Sequence, residues 1–208
     1  MRVRAWWLLP SFVTGFLLAM WAQEMSLHLR DNELRVSAPQ LHFLSGPPLQ
    51  RLKNGVAVPF DFQMTLWVDN RSTLYDRALQ RFVVSYDLWE EKFSVVKQRG
   101  FTLRGGSRPP DSARSVAHLS PDAAESWCVD NMSLPVNGVR EDQRLWVRME
   151  VRSPDPKEGA PVLGDSGLSL TSLIDLFSRP ARAAEQRWTL DAGPVRLADL
   201  KRAAARGS

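Results

Sequence analysis

Few residues in this chain are of a type and spacing that could do chemistry. A serine sits in a glycine turn, Gly164-Asp165-Ser166-Gly167. Acyl transfer from such a serine needs a histidine base, an acid to orient it and an oxyanion hole. No local segment supplies them, and the plain reading is a turn leading into a helix. A G-x-S-x-G elbow does not occur. The three histidines, His28, His42 and His118, form no H-x-H or H-E-x-x-H pair. His28 and His42 fall on the polar phase of expected strands, where exposure is the default. The lone Cys128 excludes an intrachain disulfide and a cysteine-only zinc cage, and it reads as a small buried thiol. Asp87, Glu90 and Glu91 cluster at a turn, where solvation explains them. A twelve-residue loop from Asp130 to Glu141 puts Met132 and Leu134 where calcium needs oxygen donors, and Pro135 where the loop needs glycine. Gly105-Gly106, between Arg104 and Arg108, reads as a plain loop. No catalytic residue, cofactor or metal site is therefore expected.

Binding chemistry is better represented. Arg144, Trp146, Arg148, Glu150 and Arg152 alternate with Leu145, Val147, Met149 and Val151. Successive side chains of a strand point to opposite faces, so the five polar and aromatic residues share one face. Arginines around a tryptophan can grip an anionic group or form the centre of a protein interface. They can equally form a solvated face whose arginine stems shield apolar surface. Trp67 belongs to the polar phase of another strand and can join the patch or pack under a helix. The candidate interaction face is Arg144, Trp146, Arg148, Arg152 and Trp67.

The elements that must position these residues are mostly strands. From Val56 to Val68 every second residue is apolar, which predicts a long strand with one buried face and Asp61, Gln63, Thr65 and Trp67 on the other. Further strands are expected at 81–88, from Phe93, and at 144–152. Leu27, Leu29, the Asp31-Asn32 turn, Leu34 and Val36 predict a hairpin, with Leu41 and Phe43 extending it. Trp188 and Leu190 mark a short strand. Helices are expected at 48–53, stopped by Asn54-Gly55; after the Ser120-Pro121 cap; at 111–119; and over Leu170 to Phe177, stopped by Pro180. Residues 153–167 read as a Pro/Gly-rich connector and 201–208 as a frayed tail. Many alternating strands without a βαβ rhythm predict a mainly β fold, an antiparallel β-sandwich of immunoglobulin-like general architecture. An open sheet covered by the 168–178 helix is the alternative.

The chain has 208 residues, 44% hydrophobic and 24% charged, which suits one globular domain over 24–200. Setting Arg2 and Arg4 aside leaves 25 basic against 23 acidic residues, no footprint of a nucleic-acid binder. Arg2 and Arg4 precede nineteen uncharged residues, Ala5 to Gln23. That layout predicts export, through a cleaved signal peptide or an uncleaved anchor, so residues 5–23 are the expected point of membrane association. Cutting after Ala22 or Ala19 leaves Met20 or Leu17 where a small residue is preferred. No cysteine follows for a lipid anchor, and no twin-arginine pair is present.

Two stretches carry resemblances. Gly164 to Gly167 is similar to the nucleophile segment of trypsin-like serine proteases, but Leu168 follows where that family has glycine, and an Ala-Ala-His-Cys type segment is missing. The stretches 55–67 and 79–96 together resemble an uncharacterised family of bacterial envelope proteins, a domain of unknown function often encoded beside sensor kinases of the nitrogen-regulator type. Gly55-Val56 and Ser85-Tyr86 stand at the shared positions; 99–140 departs from the pattern. The resemblance implies a location in the periplasm or on the outer face of the inner membrane. It implies no site residue. The leading expectation is a non-enzymatic protein that binds an envelope partner, such as a membrane sensor kinase, through a sheet face. A binder of lipid or another apolar ligand between the sheets, and a hydrolase with an unrecognised site, are the alternatives.

Overall fold

The structure, a computed structural model, describes residues 25–98, 100–104, 106–107, 114–154, 178 and 185–206. The expected export segment at 1–23, the Gly164–Gly167 stretch, nearly all of the expected 153–167 connector and the expected helix over 170–177 lie outside the described residues.

Among the described residues eleven strands and three helices follow in chain order: β1 (Ser26–Arg30), β2 (Glu33–Ser37), α1 (Gly46–Lys53), β3 (Val58–Val68), β4 (Leu74–Asp87), β5 (Lys92–Lys97), β6 (Phe101–Thr102), β7 (Gly106–Ser107), β8 (Ser115–Leu119), α2 (Pro121–Asp130), β9 (Ser133–Pro135), β10 (Arg144–Ser153), β11 (Gln186–Arg196) and α3 (Leu197–Arg206). They build two antiparallel sheets. The large one runs β11-β10-β3-β4-β5-β8, with β6 on β4 and β7 on β6; the small one runs β1-β2-β9. The protein is mainly β, a lopsided sandwich.

The inner face of the large sheet meets the small sheet and the helices across one apolar core. Phe60, Phe62, Met64 and Leu66 of β3, Phe82 of β4, and Val147, Met149 and Val151 of β10 face Leu34, Val36, Leu52, Cys128 and Leu134, all fully or almost fully buried. Phe43 sits at its centre, 4.8 Å from the ring of Phe60 and 5.4 Å from that of Phe62. Burying each such side chain contributes roughly 1.5–3 kcal/mol, and the tilted and edge-on ring contacts add about 0.5–1.5 kcal/mol per pair.

Several expectations hold. The hairpin of β1 and β2 turns through Asp31 and Asn32, both at positive φ. The helix before Asn54 forms, with Gly55 at φ +78° after it. Ser120 caps α2 by accepting a hydrogen bond from Ala123 N–H at 3.2 Å. Others are corrected. Leu41 and Phe43 do not extend the hairpin; they lie in an irregular segment, buried nonetheless. Residues 115–119 form a strand, because the Cα partners Phe93↔Leu119 and Val95↔Val116 add them to the edge of the large sheet. Beyond residue 200 the chain is helical to Arg206 rather than frayed, with Leu197 and Leu200 buried. The polar phase of β3 is not an exposed face: Asp61, Gln63 and Thr65 are all buried. The outer face of the large sheet is therefore buried in part, around Asp61, Gln63 and Thr65.

Candidate functional site

The outer face of the large sheet collects the sequence-predicted interaction residues. Register places Trp146 opposite Trp67, Arg148 opposite Thr65, Glu150 opposite Gln63 and Arg152 opposite Asp61 across β10 and β3. On the other side, Arg148 faces Asp191, Glu150 faces Thr189 and Arg152 faces Arg187. The five residues of the alternating β10 ladder do share one face, but that face has two ends of different character.

At one end Asp61, Arg81, Glu150, Arg152 and Glu185 are buried, and with the exposed Arg187 their charges neutralise one another. Arg81 Nε and Nη2 donate to Asp61 Oδ1 and Oδ2 at 2.5 and 2.7 Å. Arg152 Nε donates to Glu150 Oε1 and Arg187 Nη2 to Glu150 Oε2, both at 2.6 Å. Arg152 Nη1 lies 3.9 Å from Glu185 Oε1. Burial pushes the Asp61 carboxyl up, and the bidentate Arg81 guanidinium works against that shift. Arg152 has only 1% of its side chain exposed. It holds the fold together and does not reach solvent, so it leaves the candidate contact set.

At the other end the residues are open. Arg144 is exposed, and Trp67, Trp146 and Arg148 are half-buried. Arg148 Nε and Nη2 donate to Asp191 Oδ1 and Oδ2 at 2.9 and 3.0 Å, and its guanidinium carbon stands 6.0 Å from the Trp67 ring centroid. This pairing fixes the planar guanidinium against an aromatic ring without hiding either. The adjoining β11 is shaped to fit. The β10–β11 register shifts between Leu145 and Val147, and Gly193 occupies the bulge at φ +101°, where an added Cβ would run into the Leu145 carbonyl and lie 3.1 Å from Trp146 Cα. Only glycine lets the two backbones approach there.

Two further features were not legible as sites. His42 Nδ1 lies 2.9 Å from Glu125 Oε2 and 4.0 Å from Asp122 Oδ1. Glu125 is buried in α2 and its Oε1 accepts from Leu44 N–H at 2.6 Å. Burial raises the Glu125 pKa, opposed by the Leu44 N–H and by His42. The one signal in the sequence was a glutamate on the α2 stripe that also carries Ala124, Cys128 and Val129, where a charge demands a partner. Burial likewise pushes the Cys128 thiol up, with Glu125 adding to the shift, so this cysteine behaves as a hydrophobe.

The second feature is the β4–β5 turn. Asp87 Oδ1 accepts from Trp89 N–H at 2.8 Å and Glu90 N–H at 3.1 Å, and the turn presents Trp89 with 96% of its surface exposed. His118 Nδ1 meets Glu90 Oε2 at 2.5 Å beside it, while His28 stands exposed on β1 without joining either cluster.

Among the described residues no helix is long and apolar enough to cross a membrane. No family model, no curated protein and no solved structure matches this chain.

Proposed function

We propose that this protein is a non-enzymatic component of the bacterial envelope that binds a protein partner through the open end of its outer sheet face. The contact set is Arg144, Trp146, Arg148 and Trp67. The observation that carries the reading is the Trp67–Trp146 cross-strand pair with Arg148 held over Trp67 and pinned by Asp191. Tryptophan and arginine dominate the energetic centres of protein interfaces, and a side chain already held in place loses little entropy on binding. The charged N-terminus and apolar run support delivery across the inner membrane. The likeness of 55–67 and 79–96 to the envelope family supports a membrane sensor kinase as the partner.

The test is a photo-cross-linking residue at position 146 in cells. It should trap a discrete envelope protein, and Arg148→Glu should remove that adduct. The same adduct from a probe at Val96, an exposed position on β5, would show that the face is the wrong one.

The lipid alternative finds less support. The space between the sheets is filled by Phe43, Phe60 and Phe62 in ring contact. A cleft lined by Gln80, Gly100, Phe101 and Met132 has a volume of about 20 Å³, room for a water and not for an acyl chain.

A further inference from the structure

His42, Asp122 and Glu125 bring an imidazole nitrogen and two carboxylates within 4.8 Å of one another, from two segments some eighty residues apart in sequence. We infer that these three side chains form a binding site for a divalent transition-metal ion of the zinc class.

The donor set is mixed nitrogen and oxygen, which suits zinc, nickel or copper and disfavours magnesium and calcium. Adjacent ligands of a tetrahedral ion with bonds of about 2.1 Å sit about 3.4 Å apart, and His42 Nδ1 and Glu125 Oε2 are 2.9 Å apart. An ion can therefore enter between them once the two atoms part by about 0.5 Å, a small rotation for the exposed imidazole. Asp122 stands farther off, at 4.0 Å, but it is highly exposed and free to rotate inward.

Both close ligands are fixed from behind. Glu125 is 6% exposed, and its second oxygen is occupied by Leu44 N–H, the kind of supporting bond that orients a metal-binding carboxylate. His42 is flanked by Leu41 and Phe43, both anchored in the core, and its carbonyl accepts from Ser45 Oγ at 2.9 Å. The imidazole itself is 60% exposed, so an ion can enter and keep water in its remaining positions. Two carboxyl groups and one imidazole nitrogen are donors that suit the charge of a divalent ion. Among the described residues Asp122 forms no ion pair with any other side chain.

The test is a zinc titration of the full-length chain by calorimetry, with magnesium in excess. One equivalent should bind. Loss of a direct ligand costs at least the 10–100-fold typical of supporting residues, so His42→Ala should weaken binding by about 100-fold or more. Asp122→Asn should weaken it by about tenfold. His118→Ala, at the other histidine–carboxylate pair, should leave it unchanged. His42 and Asp122 are exposed, so both variants should keep the wild-type circular dichroism spectrum. The inference is overturned if zinc does not saturate one site, if binding survives His42→Ala, or if it is His118→Ala that abolishes it.

Discussion

Arg152 and Arg148 stand four residues apart on the same face of the same strand. Arg152 is closed in between Glu150 and Glu185, whereas Arg148 is 38% exposed, with Asp191 on one side and Trp67 beneath. The residue type and the alternation are identical; the neighbours differ. A guanidinium removed from water must have its charge and donors met by protein, so the inner end of the face is committed to structure. A guanidinium at the rim, already held by one carboxylate, keeps surface to offer. An arginine ladder is thus two things at once, and register decides which rung is which.

This contrast can be broken most strongly at its buried end. Asp61→Ala leaves Arg81 desolvated without its carboxylate and should cost about 3–5 kcal/mol, read as a lowered urea midpoint. A cost within the range of a surface substitution would mean that the buried end is not structural. Next comes the bulge that joins the ends. Gly193→Ala forces a Cβ into the Leu145 backbone at a positive φ and should cost more than about 1 kcal/mol, with the loss concentrated at β11 in hydrogen exchange. Smaller still is the open end, where Arg148→Ala removes a partly solvated pair and should cost less than about 1 kcal/mol by urea titration.

The two faces could be read from the sequence, but the contrast between Arg152 and Arg148 could not. Alternation alone put Phe60, Phe62, Met64 and Leu66 in the core and set Arg144, Trp146 and Arg148 on one face. It could not say that Asp61, Gln63 and Thr65 are covered, because a polar residue at every second position looks the same whether solvent or other charges face it. Local pattern does not mark Ser115–Leu119 as a strand, because among the described residues its pairing comes from the edge of β5. Strand β9 is three residues long, too short for any period. The His42–Glu125 contact joins residues 83 apart, a distance no local motif spans, and only the lone acid on an apolar helical stripe hinted at it.

The smallest effect concerns the β4–β5 turn, whose Trp89 is far more exposed than the half-buried Trp67 and Trp146 of the open end. The N–H groups of Glu90 and Trp89 hold the Asp87 carboxyl below its ordinary value. A group depressed on folding stabilises the protein above its unfolded pKa, and that contribution is lost as pH falls through the folded value. Asp87→Asn should therefore reduce stability slightly at neutral pH, and the difference from wild type should shrink as pH falls below the ordinary Asp value of 3.8. Thermal unfolding at neutral and acid pH checks this, and a difference that grew in acid would contradict the hydrogen-bond geometry.

The division of the outer face is tested most directly by putting the same cross-linker, in turn, at Trp146 and at Arg152 in cells while recording the stability of each purified variant. The expected result is a stable protein with a trapped partner from position 146, and a destabilised protein with no specific adduct from position 152. A partner trapped from 152 in a fully stable protein, with nothing from 146, would contradict it.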